Sequence, residues 1–191
     1  MTDGARVTLA NVGPGPDTLT LAELADPVEP TDPTTTEEPD PAYEAVVVLL
    51  HRDHHCGQCR RQVRAVADRY DEFRERGCQV VSIVPEPRER VTEWQERYDL
   101  PFPICADPDA VAGEAFDQPI RLGALGEHFD LVGRMPAALV FNVRSDDATE
   151  LDAPDQDSSE AKLTLTASHR GRTTMDRPDI DDLLATVDRQ A

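Results

Sequence analysis

Two uninterrupted apolar runs, with a periodic segment between them, form the clearest pattern in the chain. Ala45–Leu50 is rich in Val and Leu, as expected of a strand buried on both faces, and Cys78–Val84 has the same character. Between the runs, apolar residues recur at the spacing of one helical face, and Gly77 stands where such a helix would end. The periodic positions are Val63, Val66, Tyr70 and Phe73. The pattern predicts a strand, a helix and a second strand parallel to the first.

Shorter elements precede and follow this unit. An N-terminal β-hairpin is predicted from Arg6–Leu9 and Thr18–Leu21, around the turn-forming residues Gly13–Asp17. The later elements are, in order, a helix at Arg88–Tyr98, an extended segment at Leu100–Asp109, a short helix near Ala110–Phe116, strands at Ala137–Val143 and Leu163–Ala167, a turn at His169–Arg172 and a last helix opened by Pro178.

This order of elements predicts the fold class. It is typical of an α/β thioredoxin-like fold, in which a mixed central sheet is flanked by helices on both faces, here with an added N-terminal hairpin. We expect residues 1–191 to form a single domain. Two acidic segments interrupt it: a Pro- and Thr-rich insertion at 26–42 and a hairpin loop at 145–161.

Two cysteines stand where the first buried strand gives way to the helix. Cys56 and Cys59 form a CxxC pair in the first helical turn, where unpaired N–H groups and the helix dipole stabilise a thiolate. Cys56 is expected to be the more exposed and the attacking thiol, with Cys59 positioned to form a disulfide with it. CxxC beside a βαβ pattern favours redox chemistry over a zinc site, because Cys78 and Cys105 are isolated and form no second pair.

Three histidines crowd the same segment. His51, His54 and His55 are candidates for shuttling a proton, for supporting the thiolate as a cation, or, with the two cysteines, for binding a soft or borderline metal. The alternative is a set of solvated loop imidazoles. We expect His55 to be a supporting residue of the candidate site.

The charge of the chain limits its partners. The formal net charge is −19, and Lys162 is the only lysine. Such a surface repels phosphates, so we expect no nucleic acid partner, and it disfavours acidic lipid surfaces for the same reason. The acidic residues are spread along the whole chain, which favours adaptation to high salt over a localised binding tail.

No stretch approaches the ~20 consecutive apolar residues of a membrane span. The first residues contain no apolar core of a signal peptide. We therefore expect a soluble, cytoplasmic protein with no membrane partner.

Several blocks together resemble a known family. VVVLLHRDHHCGQCRRQV, LPFPICADPD, GRMPAALVFNV and HRGRTTMDRPDIDDLL resemble, in that order, successive blocks of the peroxiredoxin and thioredoxin-like group, specifically its AhpC/TSA-type redoxin branch. The resemblance implies that Cys56 is the attacking cysteine and that Arg134 is the family's active-site arginine. It also implies that Pro136 is a cis-proline beside Cys56, so the Met135–Pro136 bond is predicted to be cis.

One position departs from the family's pattern. Asp53 stands three residues before Cys56, where peroxiredoxins carry a Thr or Ser hydroxyl, and the family's proline is absent as well. A carboxylate close to Cys56 would raise the pKa of the thiol and oppose the helix dipole. The substitution predicts a peroxidase that is slow for its family.

The sequence therefore favours a thiol-dependent oxidoreductase that reduces hydroperoxides through a Cys56–Cys59 dithiol/disulfide cycle and needs no cofactor. Its reductant would be a thioredoxin-like protein or a small thiol. A thioredoxin-like protein disulfide oxidoreductase and a non-catalytic His/Cys metal-binding or redox-sensing module are the alternatives.

The acidic composition predicts a dependence of stability on salt. The acids outnumber the bases by 38 to 19, so they repel one another at low ionic strength, and salt screens that repulsion. The melting temperature should rise steeply from dilute buffer to molar KCl. A thermal unfolding series over that range checks this, and a flat melting temperature would contradict salt adaptation.

Overall fold

The architecture is one mixed sheet with helices against it. A computed structural model describes residues 6–26, 43–120, 133–144 and 162–189. Within these ranges the strands are β1 (Thr8–Asn11), β2 (Thr18–Thr20), β3 (Ala45–Leu50), β4 (Cys78–Val84), β5 (Ile104–Ala106), β6 (Ala137–Arg144) and β7 (Lys162–Arg170). The α-helices are α1 (Gly57–Ala67), α2 (Tyr70–Arg74), α3 (Arg88–Tyr98), α4 (Val111–Ala115) and α5 (Ile180–Asp188), and Leu21–Ala25 forms a 3₁₀ helix. None of the described helices has the length and apolar character needed to cross a bilayer.

Strand β3 lies inside the sheet and directs the chain to the candidate site. The strand order is β2-β1-β5-β4-β3-β6-β7. β3 pairs in parallel with β4 and antiparallel with β6, while β4 also pairs in parallel with β5. Every residue of β3 is buried, as its uninterrupted apolar run predicts. The predicted parallel pair of β3 and β4 is confirmed.

Each face of the sheet has its own apolar core. Val47 and Leu49 of β3 pack on one face with apolar side chains from α1, α2, α3 and α5. Val46 and Val48 point to the other face. The core there includes Leu21 of the 3₁₀ helix and Phe116, the residue that caps the end of α4. This alternation is the two-residue period of a strand. The predicted α/β thioredoxin-like fold, with helices on both faces of a mixed sheet, is confirmed.

The predicted helix after the CxxC pair is interrupted. It ends at Ala67 and resumes at Tyr70, because the N–H of Arg69 bonds to the carbonyl of Val66, three residues back, and not to the residue four back. The side chain of Arg69 bonds to Glu72 and to Asp181 on α5. Hydrophobic spacing alone did not reveal the break, since the apolar face continues across it.

Three further boundaries differ from prediction. Strand β7 runs through Arg170, so His169 belongs to a strand that pairs with β6 and not to a turn. The first hairpin is confirmed, but its second strand ends at Thr20 where the 3₁₀ helix begins. Helix α5 begins at Ile180, because the side chain of Asp179, rather than Pro178, caps its first turn by accepting from the N–H of Asp182.

The two acidic segments lie outside the described residues. The structure describes only Asp26 of the insertion predicted at 26–42, and none of the loop predicted at 145–161. Arg144 and Lys162, the residues on either side of the second segment, are paired in the sheet, and the loop itself stays a prediction. The assignment of residues 1–191 to a single domain stays a prediction.

Candidate active site

The junction of β3 and α1 holds the two cysteines. Cys56 is the N-cap residue of α1, and Cys59 lies in its first turn. Their sulfurs form a disulfide, with a Cα–Cα distance of 5.2 Å. The backbone N–H of Cys59 also donates to the sulfur of Cys56 at 3.1 Å. The sulfur of Cys56 therefore receives a helix N–H in the same way as the side-chain oxygen of an ordinary N-cap residue.

The prediction that Cys56 is more exposed than Cys59 is confirmed. Cys56 is 7% exposed and Cys59 is fully buried. Cys78 and Cys105 are free and buried, and burial raises the pKa of each thiol to about 12. Both are therefore protonated and unreactive at neutral pH, which agrees with a role as small core residues.

The loop between β3 and the cysteines is fixed from several sides. The side-chain amide of Gln118 donates to the carbonyls of His51 and Met135, each at 2.9 Å. Arg52 donates from Nε to the carbonyl of Arg134 at 3.0 Å. These bonds attach the residues between β3 and the cysteines to the segment that leads into β6.

An arginine that sequence reasoning missed contacts both sulfurs. Nη2 of Arg177 lies 3.3 Å from the sulfur of Cys56 and 3.0 Å from that of Cys59. Arg177 belongs to the loop between β7 and α5, 121 positions after Cys56 in the sequence. Only the fold brings them together. The sequence offered one local hint, an arginine immediately before the proline and the cap residue that precede a helix.

The charge of Arg177 is partly buried and lies close to a second cation. Burial, and then the positive charge of Arg52, lower the pKa of Arg177 from its usual value. A guanidinium nevertheless keeps its charge at neutral pH. Its Nη1 donates to the carbonyl of Thr174, and its Nε is buried with no hydrogen-bond partner among the described residues. Arg177 therefore supplies a partly desolvated cation directly at the cysteine sulfurs.

The prediction of a cis-proline is wrong. The described residues contain no cis peptide bond, so Met135–Pro136 is trans. Its neighbours hold an extended chain: the N–H of Met135 donates to the carbonyl of Pro119 at 2.7 Å, and the carbonyl of Pro136 accepts from Gly171 at 2.8 Å. A trans bond continues directly into β6 and is the lower-energy isomer.

Because Met135–Pro136 is trans, the resemblance that assigned a catalytic part to Arg134 loses one of its supports. The guanidinium of Arg134 lies 3.5 Å from the carboxylate of Glu114 on α4. Burial raises the pKa of Asp107, and the charge of Arg134 opposes part of that rise. The contacts to sulfur come from Arg177. A catalytic part for Arg134, and for Pro136, stays a prediction.

Asp53 and the histidines lie around the cysteine turn, but among the described residues the hydrogen bonds to its sulfurs come from Cys59 and Arg177. The carbonyl of Asp53 accepts from the N–H of Cys56 at 3.3 Å, and its carboxylate lies 3.8 Å from Arg52. His55 is exposed and packs edge-on against His54, whose Nε2 lies 3.2 Å from Glu93. Support of the thiolate by His55 stays a prediction.

His51 is the one histidine of the three that is fully enclosed. Its Nε2 shares a hydrogen bond of 3.1 Å with the hydroxyl of Ser82, and its ring packs edge-on against Trp94. Burial, followed by the charge of Arg177, lowers the pKa of His51 to about 3. It is therefore neutral at working pH and supplies no positive charge to the thiolate. Among the residues described, no three His, Cys, Asp or Glu side chains gather as a metal site.

The family model described as AhpC/TSA family matches residues 29–143, which is more than half of the chain. The chain belongs to the AhpC/TSA family. That segment includes the cysteine pair, Asp53 and Arg134 but ends before Arg177. No curated protein matches the chain.

Solved structures with this fold include peroxiredoxins. A cysteine-to-serine mutant of peroxiredoxin Q from Xanthomonas campestris has 12% sequence identity and a TM-score of 0.68, over 100% of this chain and 96% of that one. Peroxidoxin BcpB from Mycobacterium tuberculosis has 17% identity and a TM-score of 0.62, over 96% and 92% of the two chains. At such identities the likeness shows the fold alone. Family membership, together with the CxxC disulfide, makes the chain a thiol-dependent peroxidase of peroxiredoxin type.

The contact of Arg177 with sulfur predicts its effect on reactivity. Replacing Arg177→Gln removes a cation beside Cys56, so the thiolate becomes less stable in the reduced protein. Alkylation of Cys56 by iodoacetamide at neutral pH, followed by peptide mapping, should slow on the order of tenfold. Arg177→Lys keeps the positive charge but concentrates it on one ammonium group. Its alkylation rate should lie between those of wild type and Arg177→Gln.

Arg61→Gln is the matched control. It removes the same charge from an exposed position on α1, where the side chain donates to the side-chain oxygen of Gln58 at 3.1 Å. The control should react like wild type. An Arg177→Gln protein that also reacts like wild type would show that the contact does not stabilise the thiolate.

Proposed function

We propose that the chain reduces hydroperoxides through Cys56 and Cys59, with Arg177 as the cation that stabilises the attacking thiolate. The observation that carries the proposal is the contact of one guanidinium with both sulfurs at the start of a helix. Helix N–H groups and the guanidinium act in the same direction, since both favour negative charge on Cys56.

The first step oxidises Cys56. Its thiolate attacks the terminal oxygen of the hydroperoxide, the O–O bond breaks, and the leaving oxygen takes a proton and departs as an alcohol or water. Cys56 becomes a sulfenic acid. Charge develops on the leaving oxygen in the transition state, and the guanidinium of Arg177, 3.3 Å from the sulfur of Cys56, is the cation that we assign to stabilise it.

The second step forms the disulfide that the structure contains. The sulfur of Cys59 attacks the sulfenic sulfur of Cys56, an S–S bond forms, the S–O bond breaks, and water leaves. The Cα atoms are 5.2 Å apart, which is within the range that a disulfide spans, so the turn need not unfold. An external dithiol then exchanges with the disulfide and returns both cysteines to thiols. A thioredoxin-like protein or a small thiol fits this last step.

The composition supports a cellular setting for this cycle. Cys78 and Cys105 are both free thiols, as is usual in a reducing compartment such as the cytoplasm. A formal net charge of −19 with a single lysine supports a salt-adapted cell.

A second candidate function follows from the spacing of the cysteines. A disulfide closed within one helical turn is the arrangement that thioredoxin-like oxidoreductases use on protein disulfides. In that reaction Cys56 attacks a substrate disulfide and Cys59 displaces the resulting mixed disulfide. Hydrogen peroxide consumption with dithiothreitol or thioredoxin as the reductant separates the two: peroxidase activity predicts turnover that Cys56→Ser abolishes.

Asp53 sets the expected speed of the peroxidase. Its carboxylate occupies the place of a hydroxyl donor, and loss of one such donor typically costs on the order of 10²–10³ in rate. Asp53→Thr restores a hydroxyl, removes a negative charge and frees the guanidinium of Arg52, which lies 3.8 Å from the carboxylate. Peroxide reduction should therefore accelerate, while the rate of disulfide exchange changes less.

Asp71→Thr is the control, because it removes the same charge from an exposed position on α2. It should leave both rates unchanged. If wild type consumes no peroxide and Asp53→Thr gains no activity, the disulfide oxidoreductase is the better assignment.

A further inference from the structure

The loop that carries Arg177 has no regular secondary structure of its own. It runs from Gly171 to Asp179, between the end of β7 and the start of α5. A guanidinium on such a loop keeps one position only if other contacts hold the loop, because an arginine side chain and a free loop both have considerable conformational entropy. The contacts that hold it therefore decide where the charge at the sulfurs lies.

One carboxylate joins the start of the loop to its end. Oδ1 of Asp176 lies 2.9 Å from Nε2 of His169, and Oδ2 accepts from the backbone N–H of Arg172 at 2.8 Å. The N–H of Asp176 donates to the carbonyl of Thr173 at 3.2 Å. Asp176 immediately precedes Arg177, so these bonds fix the backbone at the point where the guanidinium leaves it.

His169 connects this carboxylate to the sheet. It lies in β7 and pairs with Ala138 of β6, the strand beside β3. The loop is also packed tightly at Gly171, where a Cβ would lie 2.6 Å from the carbonyl oxygen of Asp176 and 2.9 Å from that of Pro136. Contacts with His169 and Gly171 therefore fix Asp176 relative to the same sheet that positions the cysteines.

We propose that Asp176 and His169 are positioning residues for Arg177, which hold its loop so that Nη2 reaches both sulfurs. This inference rests on the proposed function, in which Arg177 supports the Cys56 thiolate. The side chains of His169 and Asp176 are about one-third exposed, and an ion pair at such a position contributes little to stability. Their effect should therefore fall on the reactivity of Cys56.

The test compares Asp176→Ala, His169→Ala and His169→Gln in the reduced protein. Two quantities are measured: the alkylation rate of Cys56 at neutral pH, and the pH at which its ultraviolet thiolate absorbance appears. The two alanine variants should slow alkylation on the order of threefold or more and move the absorbance to higher pH. His169→Gln keeps a side-chain N–H near the carboxylate and should restore much of the loss.

Asp181→Ala is the matched control, because it breaks a different surface ion pair, the one between Asp181 of α5 and Arg69 at 2.6 Å, which does not involve the Arg177 loop. It should leave Cys56 unchanged. The decisive comparison combines Asp176→Ala with Arg177→Gln. If Asp176 acts through Arg177, the double variant should react no more slowly than Arg177→Gln alone.

Either of two results would overturn the proposal: wild-type reactivity in Asp176→Ala, or a loss of the same size in the presence and absence of Arg177. Alkylation uses no peroxide, so failure of the peroxidase assignment would leave this readout unaffected. A wild-type protein that is alkylated readily at Cys56 but consumes no peroxide would instead contradict the proposed function, and the comparison of variants by alkylation would still stand.

Discussion

The contact between Arg177 and the two cysteine sulfurs is the interaction on which the rest of the site depends. It joins the turn after β3 to the loop before α5, and it is possible only because β3, β6 and β7 are neighbours in one sheet. Helix α1 adds the N–H of Cys59, which donates to the sulfur of Cys56. Removing either contribution leaves a buried thiolate with less compensation, and a buried charge without compensation reverts to its neutral form.

The surroundings of this contact differ from the rest of a strongly acidic chain. Arg177 bonds to sulfur and to a backbone carbonyl, and Arg52 raises the local positive charge further. Asp53 lies beside Arg52 and partly offsets it. The site therefore favours an anionic sulfur within a protein whose formal net charge is −19. Salt that screens the acidic surface affects a partly buried contact of this kind much less.

The local part of the site was predictable from the sequence, because it depends on near neighbours. An uninterrupted apolar run, two cysteines and a helical period specify β3, the helix start and the exposure order of Cys56 and Cys59. The remainder depends on distant residues. Nothing in the spacing of Arg177 relates it to cysteines more than a hundred positions earlier, and the family resemblance directed attention to Arg134 instead. The prediction of a cis-proline was wrong for the same reason, because the isomer is determined by the neighbours of Pro136 in the fold.

Mapping the thiols after a single oxidation tests most directly whether Cys56 and Cys59 carry the peroxide reaction. The reduced protein would be treated with one equivalent of hydrogen peroxide, unfolded, alkylated and examined by peptide mass spectrometry. The predicted result is a disulfide between Cys56 and Cys59, with Cys78 and Cys105 fully alkylated, because burial keeps both of those thiols protonated in the folded protein. Retention of all four thiols, or oxidation at Cys78 or Cys105 ahead of the CxxC pair, would contradict it.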